Sequence, residues 1–186
     1  MMRFQSFDAK TIQDTTVDWM SKIEKNQGFE PQVRQALDWA QRNMAAETRG
    51  QDSYEVAYGV FHDKNECATA ICEVHFNKHG SNSKWMKMLN VRLNPSLEAG
   101  VYIDDAIEIN LAVEAYICCV LGVLGIKETH NADTVKIYGR SEFQKLLLVT
   151  FADKLNAGLI DKAYNVTVEG RWLVVKRVKK NMIRST

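Results

Sequence analysis

Between residues 54 and 178 the apolar patterning runs strand, strand, strand, helix, strand, helix, strand, strand, and this order leaves few folds open to the chain. Three strand-like runs come first, YEVAYGVFH, CATAICEVHF and WMKMLNVRLN. Asp63-Lys64-Asn65-Glu66 is a tight-turn sequence between the first two, and KHGSNSK (78–84) is a longer polar connection to the third. Short connections imply antiparallel neighbours, so the three form a meander. Asn94-Pro95 ends the third strand, because proline has no N–H for a ladder. A long apolar helix follows. Asp104, Asp105 and Glu108 open it, where acids suit the positive dipole end, Ile107, Leu111, Ala115, Cys118 and Gly122 continue it, and Gly122 and Gly125 are expected to weaken its end. TVKIYGRS is the next strand, and a strand after a helix after a strand predicts a parallel crossover. Phe143, Leu146, Leu147, Thr150, Phe151 and Leu155 mark the second helix, Gly158 stops it, and Glu169-Gly170 turns a terminal hairpin.

Upstream, RFQSF (3–7) reads as a short first strand and Asp8 as an N-cap. Ile12, Trp19, Met20 and Ile23 give the next helix its apolar stripe, and Gly28 ends it. Pro31 opens another helix at the position that tolerates it, with Val33, Ala36, Leu37, Ala40 and Met44 at spacings of three and four. The polar run ETRGQDS (47–53) closes that helix. The whole, residues 1–186, reads as one α+β domain: an N-terminal strand and helices over 1–50, the meander over 54–94, and helix, strand, helix and hairpin over 101–186.

Composition narrows the partners. With 24 basic against 23 acidic residues, no global field steers the chain to nucleic acid or membrane. The local exception is the end: Arg171, Lys176, Arg177, Lys179, Lys180 and Arg184 form either a solubilising terminus or a patch for an anionic partner. Trp172 lies among them, but no nucleic-acid-binding signature accompanies it. Cys67, Cys72, Cys118 and Cys119 sit in apolar segments, as reduced core thiols of a cytoplasmic protein do, and adjacent helical cysteines face about 100° apart. His75 and His79 bracket a strand end, and no metal-ligand spacing occurs, so no metal is expected. AYICCVLGVLGI (115–126) is too short to span a bilayer and reads as a fully buried core helix.

This order, with LNVRLNPSLEAG (89–100) and KIYGRSEFQKLL (136–147), resembles the GCN5-related N-acetyltransferases, the acyl-coenzyme A N-acyltransferase superfamily, of which the chain reads as a divergent member. The resemblance implies a mixed, mostly antiparallel central sheet flanked by helices. Two parallel neighbours, here 85–94 and 134–141, splay apart in it, and acetyl- or another acyl-coenzyme A lies in the gap. It implies cofactor contacts from Leu93, Asn94, Ser96, Gly100, Arg140 and Ser141. The family's phosphate loop, Arg/Gln-x-x-Gly-x-Gly/Ala, has NPSLEAGVYIDDAI as its counterpart, with Gly100 alone of the loop glycines and no base between Asn94 and Lys127. Asp104, Asp105 and Glu108 stand where phosphates would bind. At about 5 Å and an effective dielectric of about 20, each like-charge pair costs on the order of 3 kcal/mol before salt screening. Lys84, Lys87 and Arg140 are the alternative grips.

The chemistry such a fold performs is direct attack of an amine on the thioester in a ternary complex, which needs a base and an acid. Glu73 and His75 alternate with Cys72, Val74 and Phe76, so both point to one strand face and supply a candidate base, or a base and its orienter. Tyr138, in the fifth strand, is the candidate acid. Plainer roles stand beside these: a solvated strand face for Glu73 and His75, packing for Tyr138, helix capping for Ser141 and turn capping for Asn94. No Gly-x-Ser-x-Gly elbow supports a nucleophilic route. The acceptor is a small-molecule or protein amine. Two readings compete with acyl transfer: a non-catalytic protein-binding module on a degenerate scaffold, such as a phage-type regulator of a host enzyme, and a structural subunit with coincidental strand order. The edge of the terminal hairpin offers a route to a dimer.

Overall fold

The computed structural model describes residues 1–23, 30–44, 53–63, 65–77, 84–102, 105–159 and 163–178. The N-terminal apolar alternation forms β1 (Met2–Ser6), and the meander forms β2 (Ser53–His62), β3 (Ala68–Asn77) and β4 (Trp85–Leu93). β5 (Thr134–Tyr138), β6 (Tyr164–Glu169) and β7 (Trp172–Arg177) complete one sheet in the order β1-β2-β3-β4-β5-β7-β6. Neighbours are antiparallel throughout, except that β4 and β5 run parallel. This is the mixed, mostly antiparallel sheet flanked by helices that the resemblance implies. Its free edges are β1 and β6, so the terminal hairpin does form one rim of the sheet.

Helices cover both faces. α1 (Ala9–Ile23) and α2 (Glu30–Arg42) bury Ile12, Trp19, Val33 and Leu37 against Ala57, Phe61, Ala68 and Ile71. Asp8 caps α1, its carboxylate accepting from the Thr11 amide at 2.8 Å. One turn apart, Thr15 and Trp19 satisfy both backbone groups of Ala68: the Ala68 amide donates to Thr15 Oγ1 (2.9 Å), and Trp19 Nε1 donates to the Ala68 carbonyl (2.7 Å). A fully buried indole and hydroxyl thus lock α1 to the start of β3. On the other face α4 (Ala106–Ile126) and α5 (Glu142–Lys154) pack on the larger core, with Val74, Met86, Met88, Val135, Ile137 and Leu173 beneath them.

Four expectations need correction. The stretch after Pro95 is no loop: Pro95–Tyr102 form a further helix, α3, packed on α4. Asn94 caps it, its side-chain oxygen accepting from the Ser96 amide at 3.0 Å. α4 is not fully buried. Ala112, Ala115, Tyr116, Cys119, Val120 and Val123 face the sheet, whereas Ile107 and Leu121 are 72% and 52% exposed. In α5 the inward residues are Leu148 and Ala152, and Leu146 is exposed. Both helices carry apolar residues on most sides, so sequence periodicity has little contrast with which to pick the inner face. Lastly, Gly122 does not weaken α4, which continues to Ile126. α4 is the described helix long and apolar enough to cross a bilayer by length and composition, and one of its faces is committed to the sheet.

The described basic residues near the end have partners. Arg171 binds Glu142, Lys176 approaches Glu169 at 3.8 Å, and Arg177 binds Glu128 at 2.9 Å. Lys179, Lys180 and Arg184 lie outside the described residues, as do Gly28, His79 and Asp104. All four cysteines are free thiols, and Cys72 and Cys119 are buried against each other.

Gly122 shows what holds α4 in place. A Cβ there would overlap the Phe4 ring, which stacks on Tyr58 with centroids 4.7 Å apart. The absent side chain lets α4 approach β1. Gly122→Ala, which raises helix propensity, is therefore expected to destabilise the protein by about 1–3 kcal/mol in urea denaturation. Phe4→Ala should make the same substitution less costly, and a stabilising Gly122→Ala would refute the close approach.

Candidate functional site

Four residue pairs, Trp85–Thr134 through Met88–Ile137, hold β4 parallel to β5. The register with β3 shows why the pairing stops there. Val74 faces Met88 and Glu73 faces Asn90, so Leu89 is an extra residue on β4. A bulge bends and twists its strand. Past it β4 runs on to Leu93 against β3, and β5 runs on to Tyr138 against Trp172 of β7. The two strands part, and the sheet opens at its centre.

Two cavities flank the opening. On the α4–α5 face lies one of about 470 Å³, whose walls include Val91, Leu93, Val101, Ala112, Tyr116 and Phe143. On the α1–α2 face lies one of about 310 Å³, whose walls include Gln32, Gln35, Trp39, Arg42 and Glu73. Asn90, Arg92 and Arg140 border both. Arg140 Nη1 donates to Asn90 Oδ1 at 3.4 Å, spanning the parted strands, and Arg92 Nη1 donates to Glu98 Oε1 at 2.8 Å.

Glu73 and His75 do share a strand face. His75 Nε2 lies 2.7 Å from Glu73 Oε1, and His75 Nδ1 lies 3.3 Å from Glu55 Oε1. Trp39 Nε1 donates to the other Glu55 oxygen at 3.1 Å. The imidazole is thus held between two carboxylates, one anchored by α2 and the other facing the smaller cavity. A 2.7 Å N···O contact requires a proton between the two atoms. The contact makes Glu73 and His75 one hydrogen-bonded pair.

Tyr116 is the site residue that sequence reading did not single out. It is 2% exposed, lines the larger cavity, and its hydroxyl has no hydrogen-bond partner among the described residues. An unpaired buried hydroxyl costs roughly 1–3 kcal/mol, so a native fold keeps few of them. Burial pushes its pKa well above the ordinary tyrosine value, with the Cys119 and Cys72 thiols adding to the rise. The group stays protonated and is a donor. Its one sequence signal was a polar tip within an apolar helix. Tyr138 projects on the opposite sheet face from Ile137 and packs on Trp172, with ring centroids 4.9 Å apart. It is not among the residues lining either cavity.

The residues implied for an acyl-coenzyme A fare unequally. Leu93, Arg140 and Ser141 line the larger cavity. Ser141 also caps α5, its Oγ accepting from the Gln144 amide at 3.1 Å, so the capping role expected of it is filled. Asn94 is 7% exposed and fully engaged: its amide donates to the Thr69 carbonyl (2.8 Å), and Nδ2 donates to Asp18 (3.2 Å). That amide is not free to pair with a pantetheine arm. Ser96 and Gly100 belong to α3, so no glycine loop forms at 95–102. At the N-terminus of α4 Asp105 Oδ1 accepts from the Ile107 amide (2.9 Å) and the Glu108 amide (3.2 Å). The protein's own carboxylate occupies amides that would otherwise cradle a phosphate. The opened sheet and its apolar cavity fit an acyl thioester arm, and this helix end does not fit a diphosphate. Lys84 and Lys87 are remote from the opening. Lys84 borders a third cavity, and the Lys87 ammonium sits 4.2 Å from the Trp85 ring centroid at the closed end of β4.

Other chemistry finds little support. Burial raises the Cys118 thiol to about 11 and raises Cys67 as well, so neither is a thiolate at neutral pH. No group of three or more His, Cys, Asp or Glu able to hold a metal ion occurs among the described residues.

No family model and no curated protein matches this sequence. Among solved structures, the chain is similar to a probable acetyltransferase from Staphylococcus epidermidis, with 13% identity, a TM-score of 0.41, and 94% of this chain and 98% of that one covered. A likeness at that level is silent on chemistry.

The third cavity, about 210 Å³, lies at the opposite end of β4 and contains His130. His130 Nδ1 is 3.0 Å from the Tyr54 hydroxyl, and its ring centroid is 4.2 Å from that of Phe76. Burial lowers the His130 pKa, so the unfolded chain binds the proton more readily than the fold. Stability is complete above the unfolded histidine value of about 6.5 and declines as the pH falls below it. The melting temperature is expected to drop between about pH 7 and pH 5, before carboxylates titrate. His130→Gln should flatten that slope, and an unchanged slope would show that the proton acts elsewhere.

Proposed function

We propose that the protein transfers an acyl group from an acyl thioester of coenzyme A to an amine, by direct attack within the opened sheet. The observation that carries this reading is a pair of cavities that share Asn90, Arg92 and Arg140 at the parted strands, with Glu73, bonded to His75, lining one and Tyr116, whose buried hydroxyl has no partner among the described residues, lining the other. The thioester, when bound, supplies an activated carbonyl. Leu93, Val91 and Phe143 line its apolar surroundings, and Ser141 and Arg140 stand at the rim. Glu73, coupled to His75, accepts the proton that the amine sheds as the C–N bond forms. Tyr116 donates a hydrogen bond to the sulfur as the C–S bond breaks, and the stabilised thiolate departs to take its proton from solvent. Arg140, with no carboxylate partner among the described residues, is the cation best placed to meet the donor's phosphates in place of the α4 amides.

A second reading has its own support. Asp105 closes the usual phosphate site, and α4 and α5 expose Ile107, Leu121 and Leu146, as a protein-binding module without catalysis would. Calorimetric titration with acetyl-coenzyme A separates the two. A dissociation constant of about 100 μM or tighter, weakened by Arg140→Gln, favours transfer. No binding at millimolar cofactor would sink the enzyme reading and leave the module.

Within the enzyme reading, Glu73→Gln and Tyr116→Phe should each lower kcat at least about tenfold. A larger loss from Tyr138→Phe than from Tyr116→Phe would return the acid role to the fifth strand.

A further inference from the structure

We infer that the cavity on the α1–α2 face takes a small amine that also carries an anionic group, a carboxylate or a phosphate. This rests on the acyl-transfer reading and narrows its acceptor. Three guanidinium groups, those of Arg42, Arg92 and Arg140, border the cavity, and Glu73 is the one carboxylate among its described lining residues. Their pairing differs in a way that matters. Arg92 is neutralised by Glu98 at 2.8 Å, and Glu73 is engaged by His75 at 2.7 Å. Arg42 donates through Nε to the Asp38 carbonyl at 3.2 Å, and Arg140 donates through Nη1 to the Asn90 amide oxygen at 3.4 Å. Both acceptors are neutral, and no carboxylate among the described residues forms an ion pair with either arginine.

The cavity therefore has uncompensated positive charge and, at Glu73 and His75, a group that accepts a proton. A guanidinium is a planar fork that meets carboxylate or phosphate through two parallel N–H donors. An amine without an anionic group would gain nothing from Arg42 and Arg140, and as an ammonium ion it would be repelled by them. An amine with one would be held by its anionic end, leaving its nitrogen to face Glu73. The volume of about 310 Å³ suits a molecule of amino-acid size. Arg140 borders both cavities, whereas Arg42 borders only this one, so Arg42 tests the acceptor side without touching the donor.

The test uses the full chain and matched amines: γ-aminobutyrate and phosphoethanolamine against neutral γ-aminobutyramide and ethanolamine. Ligand-observed NMR without an acyl donor should show each anionic amine binding at least about tenfold tighter than its neutral counterpart. The tighter of the two anionic amines identifies the preferred group. Arg42→Gln, at an exposed position, should abolish the preference and leave acetyl-coenzyme A affinity unchanged in calorimetry. Equal binding of charged and neutral amines overturns the inference. So does an absence of binding by both anionic amines, or a preference that survives Arg42→Gln. Thiol release from acetyl-coenzyme A then separates the two levels. Turnover of neutral amines alone defeats the anionic acceptor and leaves acyl transfer standing. Anionic amines that bind through Arg42 and are never acylated support the site and defeat the transfer.

Discussion

The parting of β4 and β5 is the constraint on which the rest of this structure depends. One residue, Leu89, has no counterpart in β3, and its bulge turns β4 away from β5 just after Met88 and Ile137. Both strands keep their other partners, so the sheet opens without losing continuity: β4 stays on β3, and β5 stays on β7. A hydrogen-bonded sheet presents no hole through its middle, and a bulge in the antiparallel β3–β4 pair, beside the parallel pair, creates one. Each cavity is defined by what covers the opening, α3, α4 and α5 on one side and α2 on the other. The close packing of α4 on β1 at Gly122 and the anchoring of α1 at Ala68 fix those covers relative to the sheet.

Charge is distributed unevenly around this opening. The amino end of α4 is capped by Asp105, so one helix terminus that would attract an anion is satisfied from within. The β5–α5 junction is clamped by Arg171, which donates to the carbonyls of Gly139 and Arg140 and binds Glu142. Of the cations bordering the opening, Arg92 spends its charge on Glu98, while Arg42 and Arg140 have only neutral partners among the described residues. Positive charge at the opening is therefore carried by side chains, with backbone amides at α4 already used.

Much of this was legible in residue order. Alternation gave the meander and the hairpin, and the placing of Glu73 and His75 on one face follows from the two-residue period alone. Ser141 and Asp8 cap the helices they precede because their short side chains reach back to free amides. Other features were hidden for definite reasons. α3 begins at a proline, which reads equally as a strand stop and as a first helical position. The inner faces of α4 and α5 escaped because helices apolar on most sides give periodicity nothing to contrast. Tyr116 reads as one more large residue in an apolar run, and only the fold buries its hydroxyl with no partner among the described residues.

The sequence by itself determined the α+β class, the order of elements, the antiparallel meander and the parallel crossover, because these follow from local periodicity, turn chemistry and connection length. It also gave notice that carboxylates crowd the start of α4. Only the tertiary structure decided where the sheet opens, since a bulge is a mismatch between two strands and belongs to neither sequence alone. Only it brought Arg42, Glu73, Asn90 and Arg140 to one cavity from α2, β3, β4 and the start of α5. Only it separated paired from unpaired arginines, because pairing depends on distances between residues far apart in the chain.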